Sequence, residues 1–278
     1  MRTITTHDIY TEVSRLIVEA NFYLPGHVQK ALLAMFNRET KPLARETLSI
    51  LLKNATIAQQ NHIPLCQDCG SVIVFIDMGD EVHIEGNLYE CINRAVADTY
   101  HAHYLRPSMV QDPLFERTNT GNNTPAWIHV AIVEGSSVAI TVYIKGGGSE
   151  NMTSLTMFTP TTDVHTIIEY VVSTVKQAGP NPCPPLFLGI GIGGTADVAM
   201  LNAKKAVLHN KPHPMQKYKQ LEEEILQRCN ETQVGPLGFG GNNTVAAVHI
   251  KEAPTHIATL PVALNLNCHS LRYRTAVL

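Results

Sequence analysis

Apolar and polar positions alternate in two textures along the chain, helical at the start and mixed afterwards. In "DIYTEVSRLIVEA", Ile9, Val13, Leu16, Ile17 and Ala20 recur at helical spacing, and "RETLSILLKNATIAQ" carries the same pattern more strongly. Apolar residues three and four apart share one helix face, so residues 1 to about 60 read as a helical segment. From Ser71 the period shortens. "SVIVFID" reads as a strand, "LYECINRAVADTYHAHYL" as a helix, and "AWIHVAIV" with "SVAITVYI" as a strand pair turning around Glu134 to Ser136. Farther on, "DVHTIIEYVVSTVKQAG" places Val164, Ile167, Ile168, Val171, Val172 and Val175 on one stripe, with Gly179 positioned to end the helix. The prolines of "PNPCPP" exclude a helix there. "LFLGIGIGG" follows, then two polar-faced helices through Cys229 and the strand-like runs "NTVAAVHI" and "THIATLPVALNLN". This order predicts an α/β (mixed α+β) protein, an N-terminal helical segment followed by a mixed β-sheet packed with helices. No repeat, low-complexity tract or linker interrupts it, so a single domain over residues 1–278 is expected.

Composition narrows the partners more than the fold. With 44% apolar and 16% charged residues, a 278-residue chain can bury a sizeable core, and disorder is not expected. The formal charge of −3 and the absence of any Lys/Arg run argue against nucleic acid. No apolar stretch reaches the roughly 18 to 20 residues that cross a bilayer, and "MRTITTHDIYTE" lacks the apolar core of a signal peptide. No membrane association and a cytoplasmic location are therefore expected. Six cysteines are too few for a disulfide scaffold, and a reducing compartment keeps them as thiols or metal ligands.

Taken singly, the cysteines differ. Cys91 falls on an apolar stripe with Leu88, Ala95 and Val96 and reads as a buried small hydrophobe, while Cys229 ends a charged helix without a partner signal. Cys66, Cys183 and Cys268 each stand at the edge of an element, where sites collect. The pair in "PLCQDCG" lacks the second close ligand pair that zinc needs, and the strand after Cys69 is the wrong context for a thioredoxin-like couple, which should open a helix.

Two glycine-rich stretches invite similar scrutiny. Gly189, Gly191 and Gly194 match a dinucleotide fingerprint, but "HNKPHPMQKYKQ" stands where the second strand and its acid should be. Close packing, or backbone amides left for a small anion, is the better expectation. "YIKGGGSENMT" sets Lys145 before three glycines, a plain turn or a loop that turns N–H groups toward a carboxylate; "NTGNNTPA" is equally open. On its own, Asp68 reads as a turn residue bonding backbone amides and His256 as a structural histidine.

In order along the chain, "PLCQDCG", "HYLRPS", "NTGNNTPA", "KGGGSENMT", "PCPP", "GIGGT" and "THIATLPVALNLNCHSLR" resemble segments of the class I fumarases and the related tartrate dehydratases, oxygen-sensitive iron-sulfur hydro-lyases. The resemblance implies a 4Fe-4S cluster held by Cys66, Cys183 and Cys268, with Cys69 a bystander where relatives usually carry Thr. Three cysteines leave one iron open as a Lewis acid for a substrate hydroxyl. It further implies Asp68 as the base that takes the proton from carbon, and Gln67, Arg106, Lys145, Gly148 and His256 around a small dicarboxylate. In single-chain relatives a second domain follows the third cysteine, whereas this sequence runs ten residues past Cys268. The implied protein is thus an alpha subunit of a hetero-oligomer, compatible with an alpha–alpha contact and inactive without a beta subunit that supplies the rest of the active site. The implied activity is reversible hydration of fumarate to L-malate. The alternatives are an L(+)-tartrate dehydratase alpha subunit and a non-catalytic metal-binding protein on the same scaffold.

Overall fold

The computed structural model describes residues 2–278. In chain order its first elements are β1 (Arg2–Thr5), α1 (Thr6–Phe22), α2 (Gly26–Arg38), α3 (Pro42–Asn61), β2 (Ser71–Gly79), β3 (Val82–Glu85), α4 (Leu88–Ala102) and β4 (Trp127–Val133). β5 (Val138–Lys145), the single turn α5 (Gly147–Glu150), β6 (Ser154–Phe158), α6 (Val164–Ala178) and β7 (Leu186–Gly193) follow. The last are α7 (Ala196–Ala206), α8 (Gln216–Glu231), β8 (Val245–Ala253), β9 (Leu260–Asn267) and β10 (Arg272–Val277). Helices and strands both contribute substantially, as the α/β reading requires, and α1 to α3 form the expected N-terminal helical segment. Among the described residues no helix is long and apolar enough to cross a membrane.

The chain divides into two compact units that interleave in sequence. One comprises Met1–Pro25, Asn54–Gly147 and Arg272–Leu278, the other Gly26–Lys53 and Gly148–Leu271. Each unit is assembled from separated stretches, so no linker-like composition marks their boundary.

In the first unit the sheet order is β10-β5-β2-β4, with β2 antiparallel to β5 and parallel to β4. Val72 to Ile76 are all buried, and a strand apolar on both faces belongs in the middle of a sheet. The strand pair expected of β4 and β5 is therefore corrected: both strands exist, but each pairs with β2 and they flank it. The stretch between them crosses the end of β2 instead of forming a hairpin, and Gly79 makes room for it, since a Cβ there would lie 2.2 Å from the Gly135 carbonyl oxygen. α1 begins with a Thr5–Asp8 capping box and buries Ile9, Val13, Leu16, Ile17 and Ala20, the stripe read from the sequence. That stripe packs with Ile92, Ala95 and Val96 of α4 on the inner face of β2 and β5. β1 pairs in parallel with β3.

In the second unit the order is β6-β9-β7-β8, with β7 antiparallel to β9 and parallel to β8. α6 is capped by Asp163, whose carboxylate accepts the Thr166 N–H at 2.7 Å, and ends at Gly179 with φ +53°. Ile167, Ile168, Val171 and Val175 of α6 and Ile225 of α8 pack with Leu188 and Ile190 of β7. On the opposite pleat of β7, Cβ atoms at Gly189 and Gly191 would stand 2.0 and 1.9 Å from the carbonyl oxygens of Ala203 and Ala199 in α7. The apparent nucleotide fingerprint is thus a close-packed strand–helix contact.

Candidate functional site

In the first unit "PLCQDCG" forms an irregular turn between α3 and β2, pinned at both ends. The Leu65 N–H donates to the Asn21 carbonyl (2.8 Å), the Leu65 carbonyl accepts from Asn54 Nδ2 (2.9 Å), and the buried Tyr100 hydroxyl donates to the Cys69 carbonyl (2.6 Å). Gly70 closes the turn at φ +68°, where a Cβ would come within 2.7 Å of the Lys145 carbonyl oxygen, so only glycine fits. Between the pins Cys66 and Asp68 are half-buried and Gln67 is exposed, its Oε1 accepting from the Cys66 thiol at 3.4 Å.

Asp68 is held by amides on both oxygens. Oδ1 accepts the Gly70 N–H (2.9 Å) and Oδ2 the Gly147 N–H (2.8 Å). The "KGGGSEN" loop therefore does turn an N–H toward a carboxylate, and the carboxylate is the protein's own. A Cβ on Gly146 would sit 3.2 Å from Asp68 Oδ2, which explains a glycine beside the anchoring one. Lys145, the last residue of β5, is only 1% exposed.

Arg106 follows α4 with its side chain exposed, and its backbone N–H donates to the Cys69 sulfur at 3.3 Å. The buried Cys69 thiol ties the Arg106 segment to the turn and reaches the Cys66 carbonyl at 3.8 Å. Asn123 adds a second tie, with Nδ2 donating to the Gly70 carbonyl (3.0 Å) and Oδ1 accepting the Ser108 N–H (2.7 Å). "NTGNNTPA" is a structural clamp through this residue. Sequence reading missed Arg272, which opens β10 and donates from Nη1 to the Asp68 carbonyl at 2.8 Å. The β-rich alternation of "RYRTAV" was the available signal for its strand.

The second unit carries the other predicted residues. Cys183 is exposed in "PNPCPP" with φ +55°, an uncommon backbone for a side-chain-bearing residue. Its carbonyl accepts the His269 backbone N–H (3.2 Å) and lies 3.1 Å from His269 Nδ1, so the Cys183 loop and the Cys268 loop meet. Cys268 is half-buried directly after β9. Gly148 adjoins the first of these loops, since a Cβ on it would be 3.1 Å from the Asn181 carbonyl oxygen, and Glu150 is fixed by Lys204 Nζ at 2.6 Å. His256 lies apart from both cysteines. It lines a cavity of about 600 Å³ with Thr195, Thr255 and Thr259, and neither Cys183 nor Cys268 borders it. Its Nδ1 accepts the Ala258 N–H at 3.1 Å, which leaves the ring proton on Nε2.

The six thiols fall into two groups. None forms a disulfide. Cys69, Cys91 and Cys229 are buried, and burial pushes all three thiols up, Cys229 to about 12. A thiol that stays protonated is a poor ligand, because the thiolate is the ligating form. Cys66, Cys183 and Cys268 are the ones that reach solvent. Among the described residues no three His, Cys, Asp or Glu groups are gathered as a single metal ion requires. An iron-sulfur cluster spaces its cysteines more widely than one ion does, and a set of three accessible soft donors fits it.

Two mixed sheets, three accessible thiols on element ends and an amide-held carboxylate mark an α/β protein that carries soft donors and a fixed acid group on its loops. The chain belongs to the fumarate hydratase (Fumerase) family, whose sequence model it matches over residues 10–277, a family of hydro-lyases. It is similar to a Methanocaldococcus jannaschii protein provisionally named L(+)-tartrate dehydratase subunit alpha, with 36% identity across 94% of this chain and 93% of that one. It is also similar to the L(+)-tartrate dehydratase subunit alpha of Escherichia coli K12, with 28% identity across 91% of this chain and 84% of that one.

Proposed function

We propose that the chain is the alpha subunit of a two-subunit 4Fe-4S hydro-lyase that removes water from a small hydroxydicarboxylate, with L(+)-tartrate as the first substrate to consider. The observation that carries this reading is the division of thiols: Cys66, Cys183 and Cys268, matched to the family's ligands by sequence, are the three that reach solvent. The relatives' names support tartrate over the fumarate reading drawn from the loop sequence, and support a beta subunit as partner. Fumarate hydration stands second, favoured by the family's description.

When bound, such a cluster supplies an iron not ligated by cysteine, a Lewis acid for the departing hydroxyl. The chain's residues supply the rest. Asp68, its two oxygens oriented by Gly70 and Gly147, takes the proton from the carbon next to the leaving group. Arg106 and Lys145 offer positive charge to the carboxylates, and Gln67 and the Gly148 backbone offer hydrogen bonds. His256 is assigned to the substrate by its match to the family's motif alone, since it lines a cavity that neither Cys183 nor Cys268 borders. Loss of water from tartrate leaves an enol that becomes oxaloacetate.

Anaerobic reconstitution with iron and sulfide, alone and with the co-expressed partner chain, tests this. Four irons per chain, and turnover of L(+)-tartrate exceeding that of malate or fumarate only with the partner, is the expected result. Stoichiometric zinc in place of iron would end the hydro-lyase reading. Turnover by the isolated chain would remove the subunit claim, and faster malate dehydration would reverse the substrate order. Asp68→Asn should abolish turnover with the cluster absorption intact.

A further inference from the structure

Arg272 heads the largest fully buried side chains of the described residues, at 1% exposure. A buried guanidinium is ordinarily matched by a carboxylate, because an uncompensated charge in a dry interior is costly. Arg272 has no such match: its Nε has no hydrogen-bond partner and it forms no ion pair with a described carboxylate. Its hydrogen bonds run from Nη1, to the Asp68 carbonyl at 2.8 Å and to Asn21 Oδ1 at 3.4 Å. A Cβ placed on Gly146 would lie 3.6 Å from Arg272 Nη2 and 3.2 Å from Asp68 Oδ2, so guanidinium and carboxylate border the same small space beside the glycine loop.

We propose that Arg272 is a positioning residue for Asp68. One nitrogen fixes the peptide carbonyl of Asp68 and the other places a buried positive charge behind the carboxylate, holding it against the Gly147 amide and aimed at the substrate carbon. The side chain is spent on the protein's own Asp68 and Asn21, whereas that of Arg106 is exposed. The proposal rests on the reading of Asp68 as the base.

Its test uses Arg272→Lys and Arg272→Gln in the reconstituted complex and in the metal-free full chain. In the complex, kcat should fall about tenfold for R272K and about a hundredfold for R272Q, with KM for the dicarboxylate within about twofold of wild type and iron content unchanged. In the metal-free chain, hydrogen exchange of the peptide containing the Gly147 amide should accelerate in R272K while the helices α1 and α4 keep their protection. If R272Q does not fold, R272K carries the test alone. Unchanged kcat in a folded, iron-loaded R272K, a KM that rises in step with the loss of kcat, or unchanged exchange at Gly147 would each overturn the proposal. Asp68→Asn separates the two layers: an active D68N removes the base and with it this proposal, whereas an inactive D68N beside a fully active R272K removes only the role of Arg272.

Discussion

Around the turn from Leu65 to Gly70 the first unit buries the polar side chains of Asn21, Tyr100, Asn123 and Arg272, and Tyr100, Asn123 and Arg272 reach a main-chain carbonyl of the turn. In the second unit two contacts rest on the backbone itself: Gly189 and Gly191 let α7 settle onto β7, and Cys183 stands at a left-handed φ between prolines. The two solutions are vulnerable to different injuries. A side-chain clamp fails when a donor is removed and a buried carbonyl is left unmet. A backbone contact fails when volume is added, since main-chain atoms cannot rotate away as a side-chain tip can.

The largest expected effect follows from that asymmetry. Gly191→Ala places a carbon 1.9 Å from the Ala199 carbonyl oxygen, so the helix must shift, and a loss of about 3 kcal/mol or more is expected in urea unfolding. A loss below about 1 kcal/mol would mean that α7 is not seated as described. Next comes Tyr100→Phe, which removes the 2.6 Å bond to the Cys69 carbonyl and should cost about 1 to 3 kcal/mol by the same measurement.

Acid probes the second unit through a different group. Burial, with His209 and His27 nearby, holds His249 down at about 4 from its ordinary 6.5, and its Nδ1 has no hydrogen-bond partner. The unfolded chain therefore binds the extra proton first. This contribution is fully present above pH 6.5 and is lost as pH falls toward 4, by on the order of 2 kcal/mol. Comparing unfolding at pH 7 and pH 4.5, His249→Gln should flatten that decline; an unchanged slope would assign the acid sensitivity elsewhere. The smallest effect belongs to Gly26→Ala at the start of α2, where no atom lies within 4 Å of the new carbon and stability should hold or rise by up to about 1 kcal/mol.

Much of this was legible in the sequence because it is local. The α1 stripe is buried residue for residue as its spacing dictates, and Gly179 ends α6 where it was placed. Cys91 is buried, as its place on the apolar stripe implied. The pairing of β4 and β5 was not legible: turn residues after a strand announce a reversal, but they do not say whether a third strand, here β2, already occupies the middle. Nor was Arg272, since nothing near it in sequence reveals that Asp68, some two hundred residues earlier, supplies the carbonyl it grips. The bond from the Arg106 amide to the Cys69 sulfur was hidden for the same reason.

What the chain's sequence determined by itself is the set of periodic elements, the caps that end them and the family to which its motifs belong, because each depends on residues within a few turns of one another. Tertiary structure alone decided which strand became central, which three thiols stayed within reach of solvent and which buried cation grips the Asp68 carbonyl. Those outcomes depend on desolvation and on contacts between distant segments, and both come into being only when the core closes.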